Sequence, residues 1–94
     1  MTESQLKNKV LKYLKQTYPS AWTHHPAELF VSGIPDIFFL HGGRFHAIEL
    51  KVGNNKATPL QLHTLKRIAA AGGHTGVAYN LDEVKAILKE VTHD

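Results

Sequence analysis

The stretch GIPDIFFLHGGRFHAIELK, Gly33 to Lys51, decides what this chain can be. Two runs rich in aromatic and β-branched residues, DIFFL and RFHAIELK, flank HGG, which is the composition of a tight β-hairpin. With Gly42 and Gly43 as the turn residues, counting outward along both arms brings Asp36 opposite Glu49. Directly opposed residues point to one face with Cβ atoms about 4.5–5.5 Å apart, so two carboxylates are expected to be held together. Period-two alternation puts Lys51 on the face of Glu49 and turns Leu50 away.

Like charges opposed across a strand pair destabilise the ladder unless something neutralises them, and one lysine does not offset two carboxylates. A divalent cation does. Oxygen donors at this spacing suit Mg²⁺ or Mn²⁺, which takes one or two protein carboxylates and keeps several waters for a substrate phosphate. The chemistry that fits is metal-assisted attack of water on a phosphodiester, with Lys51 stabilising developing charge or positioning the nucleophile. The plainer alternative is a loop aspartate after Pro35 and an exposed, alternating strand end at Glu49 and Lys51. A turn one residue longer would break the register.

Upstream, Leu6, Val10, Leu11, Leu14 and Tyr18 share one helical face, with Lys7, Lys9, Lys12 and Lys15 largely off it. Thr2 and Gln5 form a capping pair, so residues 3 to 17 are expected to be helical. Pro19 and Ser20 end that helix, and AWTHHP is expected to hold a short strand before a loop through Glu28 to Ser32. Downstream of the hairpin, VGNNKATP reads as a loop. Thr58 as N-cap, Pro59 at the first helical position and Gln61 as capping-box partner open a second helix running to about Ala71, where Gly72 and Gly73 stop it. HTGVAY is expected to be a fourth strand, and Asn80 with Glu83 opens a last helix through Leu81, Val84, Ile87, Leu88 and Val91. The order is α-β-β-β-α-β-α. Within the hairpin, Phe38, Leu40, Phe45 and Ala47 share the face of the acids, while Ile37, Phe39, Ile48 and Leu50 take the other, so both faces need covering.

A chain of 94 residues builds one core, and residues 1–94 are expected to form a single domain. The mean hydropathy of −0.23 and 43% hydrophobic content exclude a disordered chain, and no apolar run approaches the roughly 20 residues of a membrane span. The N-terminal MTESQLKNKV lacks a signal-peptide layout and there are no cysteines, so an intracellular, cytoplasmic protein that meets no membrane is expected. A net charge of +3 and a pI near 9.3 favour a polyanionic partner.

Pro35-Asp36 followed by Glu49-Leu50-Lys51 matches the PD-(D/E)XK nuclease pattern, and GIPDIFFL…FHAIELKVGNNKATPLQ resembles the VRR-NUC branch of that superfamily, with the likeness running from Glu3 through the strand after Gly73. The resemblance implies an α/β, restriction-endonuclease-like core with a central mixed sheet flanked by helices. It implies a divalent metal, Mg²⁺ or Mn²⁺, held by Asp36, Glu49 and the carbonyl of Leu50, with Lys51 as the catalytic lysine. It also implies site roles for Glu3 and Gln61. Glu3 alternatively favours the positive end of a helix dipole, and Gln61 alternatively serves only Thr58. The activity expected is cleavage of DNA, structure-selective on duplex or branched substrates, by a homodimer that widens a narrow binding surface. The alternative is a nuclease-fold module that grips nucleic acid without cutting; the intact set Asp36, Glu49 and Lys51 argues against it.

Lys56, beyond the ELK strand, sits where a phosphate backbone would pass, or is an ordinary solvated lysine. Ser32 and Gly33, at the start of the hairpin, are expected to join it in contacting nucleic acid. The seven histidines have no cysteine beside them and no zinc-ligand spacing on a helix, so most are expected at the surface. Trp22 is expected in the core rather than as a base-stacking platform.

Overall fold

The computed structural model describes residues 1–26 and 32–91, the last two as backbone only. Its element order is the expected one: α1 (Glu3–Thr17), β1 (Trp22–His24), β2 (Ile37–His41), β3 (Arg44–Leu50), α2 (Pro59–Ala70), β4 (His74–Ala78) and α3 (Leu81–Val91). The loop expected through Glu28 to Ser32 lies outside the described residues up to Val31.

Local chemistry sets the helix ends. Thr2 accepts the Gln5 amide at 3.1 Å while the Gln5 side chain accepts the Thr2 amide at 2.8 Å, and Thr58 and Gln61 repeat that reciprocal pair at 3.2 and 2.8 Å. Each pair satisfies amides that a helix start would otherwise leave bare. Asn80 caps α3 by accepting the Glu83 amide at 2.8 Å.

The four strands lie in the order β1-β2-β3-β4, antiparallel except for the parallel β3–β4 pair, whose crossover carries α2. Gly42 and Gly43 have φ of 58° and 77°, the left-handed pair of a two-residue hairpin turn. They set His41 against Arg44 and Ile37 against Ile48, the register expected from the sequence.

The sheet's two faces are covered differently. On one, Leu6, Val10 and Leu14 of α1 and Val84 and Leu88 of α3 pack against Ile37, Phe39, Ile48, Leu50 and Ala78 in the main core. On the other, α2 packs against β4 and β3. A Cβ at Gly73 would meet both Ile68 of α2 and Phe45 of β3, and one at Gly33 would come within 2.7 Å of Leu60. Gly33, with φ of 85°, is thus the point where the chain passes close beneath α2.

The β1–β2 half of that second face stays open among the described residues. Trp22 is 52% exposed and Leu40 40%, which corrects the expectation of a core tryptophan. A strand as short as β1 pairs Trp22 with Leu40 at the sheet edge, beyond the reach of α2.

Candidate metal centre

Asp36 stands one residue before β2, where the ladder would next pair it with Glu49. Its Oδ2 accepts the Leu50 amide at 2.8 Å, so the side chain supplies the partner that the backbone ladder no longer provides. That bond fixes Asp36 toward the end of β3. Sequence reasoning assigned Leu50 only a carbonyl role and missed this anchoring amide, although the hairpin count already carried Asp36 to that end of the strand.

Glu49 is only 2% exposed, and its Oε1 has no hydrogen-bond partner. Burial, then the neighbouring Asp36 charge, push its carboxyl up to about 7, against the opposing hydrogen bond and charge of Lys51. Lys51 Nζ lies 3.2 Å from Glu49 Oε2 and 3.8 Å from Glu3 Oε1. Burial pulls the Lys51 ammonium down, but Glu49, with Glu3 and Asp36 behind it, outweighs this and holds its pKa above the usual value. The fold therefore gathers Asp36, Glu49, Lys51 and Glu3 around the end of β3.

The other expected residues show different contacts. The Gln61 carbonyl oxygen is taken by the Thr58 amide in the α2 cap. Lys56 and Ser32 are exposed in loops, and Gly33 packs under Leu60.

A divalent cation suits these residues. An unpartnered, buried carboxylate oxygen beside a second carboxylate is a hard-oxygen donor set awaiting positive charge, which one lysine supplies only on the Oε2 side. Among the described residues no group of three or more His, Cys, Asp or Glu assembles, so protein donors would number fewer than a closed cage demands.

No family model matches the sequence, and no curated protein does either. Solved structures do. One, a "VRR_NUC domain", shares 25% identity, with 99% of this chain and 98% of that chain covered at a TM-score of 0.65. Another, a "VRR_NUC domain protein", shares 25% identity over 96% of this chain and 87% of its own at a TM-score of 0.76. Near-complete overlap of the fold is thus joined to the Pro35-Asp36 and Glu49-Leu50-Lys51 motif, carried on a hairpin in the required register. The chain has the fold of these VRR_NUC domain structures, and the overlap together with the motif supports membership of that nuclease family.

Proposed function

We propose that this protein is a metal-dependent endodeoxyribonuclease. The observation that carries the reading is the buried Glu49 carboxylate, one oxygen bare, pressed toward Asp36 with Lys51 at 3.2 Å. Such a cluster is held at a cost to folding, and that cost has a use where a site needs charge at a fixed point.

Asp36, Glu49 and the Leu50 carbonyl would hold Mg²⁺ or Mn²⁺, which when bound supplies a more acidic water and neutralises phosphate charge. Asp36 keeps one oxygen committed to the Leu50 amide, so its other oxygen has a defined direction. Lys51 donates toward Glu49 and is within reach to stabilise charge on a phosphate oxygen. Glu3 steadies the ammonium from the first turn of α1. Lys56, Ser32 and Gly33 are the proposed contacts to the nucleic-acid backbone, and Gln61 a further site residue through the part of its amide that the cap leaves unused. Duplex or branched DNA is the proposed substrate and two copies the proposed active unit, since one small domain meets few phosphates.

Incubation of the purified chain with linear, supercoiled, single-stranded and four-way-junction DNA tests the reading. Cleavage is expected with Mg²⁺ or Mn²⁺ and none with chelator. Survival of every substrate across a range of both metals would overturn it, and light scattering at micromolar concentration reads the proposed dimer.

A further inference from the structure

The open half of the acid-bearing face holds a row of rings. Pairing of Trp22 with Leu40 and His24 with Phe38, and of Phe38 with Ala47 and Leu40 with Phe45, puts all six side chains on the face to which Asp36 and Glu49 belong. Trp22 stacks on His24 at 5.7 Å and 20° between planes, His24 on Phe38 at 6.5 Å and 14°, and Phe38 lies 5.6 Å from Phe45. The row therefore crosses three strands, nearly parallel from Trp22 to Phe38 and tilted by 31° at Phe45, and it ends in a tryptophan that is 52% exposed.

An isolated exposed apolar residue needs no explanation, but Trp22 beside a 40% exposed Leu40 and continuous with a ring row makes a patch. Its chemistry is more specific than greasiness. Every nucleobase has a π-face, and Trp, Phe and His are the side chains on which unpaired bases stack. Distance fits as well: four strand residues separate Asp36 from the level of Leu40 and Trp22, about 14 Å at the strand rise. That is on the order of four nucleotides at duplex spacing and fewer along a stretched single strand. The chain's +3 charge complements the polyanion to which such a base is attached.

We propose that Trp22, backed by His24 and Phe38, is a stacking shelf for an unpaired nucleobase in the strand whose phosphate enters the Asp36–Glu49 site. The inference rests on the nuclease reading for its choice of ligand. It makes the preferred substrate a duplex or branched DNA with an unpaired base beside the cut.

Trp22 is the chain's one tryptophan, so its emission reports on the shelf alone. The whole chain is titrated in EDTA, where nothing is cut, with oligo(dT) of about twelve nucleotides, an abasic strand of the same length and a blunt duplex. Saturable quenching by oligo(dT), weak quenching by the duplex and none by the abasic strand is the expected result. Trp22→Ala is expected to weaken oligo(dT) binding about 5- to 150-fold, Trp22→Phe to restore most of it, and neither to change the dependence on salt, which counts phosphate contacts. Equal quenching by the abasic strand, or unchanged affinity in Trp22→Ala, would overturn the shelf. So would emission that shifts with protein concentration in the absence of DNA, since a second copy would then cover Trp22. Should Trp22→Ala melt, the wild-type titrations and Trp22→Phe still decide. The two readings fail separately. Base-dependent quenching by a chain that cuts nothing supports the shelf and removes the nuclease; metal-dependent cutting without base-dependent quenching does the reverse.

Discussion

Glu49 and His46 sit on the same strand, on opposite faces of the sheet, and make an instructive pair. Both are buried, at 2% and 3% exposed, and each has one side-chain atom without a partner, Glu49 Oε1 and His46 Nε2. Burial, the largest cause for both, drives each toward its neutral form: the Glu49 carboxyl upward and the His46 imidazole downward. What differs is the company. Glu49 faces a second carboxylate and a lysine, so its neutrality is unstable to any arriving cation. His46 gives Nδ1 to the Phe39 carbonyl at 3.2 Å, rests against the rings of Phe39 and His74, and has His41 and Arg44 near enough to oppose its protonation further. Nothing there invites a ligand, and burial by itself does not mark a site; the neighbours do.

The comparison breaks if exchanging either residue has the other's effect. Glu49→Gln and Asp36→Asn are each expected to reduce cutting by at least about 100-fold, more than the 10- to 100-fold typical of groups that only support metal ligands. Both are expected to raise the metal-free melting temperature at alkaline pH, because the amide removes like-charge repulsion and the burial of a charge. A large fall in that melting temperature would make the acids structural partners instead.

The pair was only partly legible in advance. The opposition of Asp36 and Glu49 could be counted because Gly42-Gly43 fixes the register locally, and capping residues marked the starts of α1 and α2 for the same reason. Most histidines are expected at the surface, and His46 departs from that majority. It shares the core-facing alternation of Ile48 and Leu50, a pattern that does not say whether an imidazole at the strand's near end will be covered. Trp22 failed for a related reason: three residues of strand reveal a face only after their partners are known. Gln61 sits inside a cap, and nothing in its local pattern distinguishes a proposed site residue from any other capping glutamine.

A smaller effect separates the two residues by pH. Glu49's folded pKa of about 7 lies above its ordinary 4.5, so between those values the folded chain keeps a proton that the unfolded chain has lost. Its contribution to metal-free stability is full below about 4.5 and is lost as pH rises through about 7. His46, lowered from 6.5, works the other way: its contribution is present above 6.5 and is lost as pH falls through its lower folded value. Melting temperature in EDTA is therefore expected to lose Glu49's contribution between about pH 4.5 and 7, with Glu49→Gln, or Mg²⁺ in place of the chelator, removing that loss alone. A loss over that range unaffected by either would detach Glu49 from the metal.

The smallest expected effect is that of His46→Leu. It removes the acid limb of the melting profile, changes stability at neutral pH by no more than about 1 kcal/mol, and leaves the cutting rate of the folded protein within about twofold. Activity lost in proportion to that of Glu49→Gln would place His46 in the reaction and end the contrast drawn above.

Hairpin loops are ordinarily the part of a protein that forgives insertion and deletion. The turn at Gly42 and Gly43 is an exception, though a Cβ added at either glycine would meet nothing within 4 Å. It acts as a gauge block for a tool at the opposite end of two strands, since one residue more or less there would slide Asp36 past Glu49 and send one arm's side chains through the sheet. A change of length at this bend is therefore expected to disable the site, for reasons that no inspection of the bend itself would disclose.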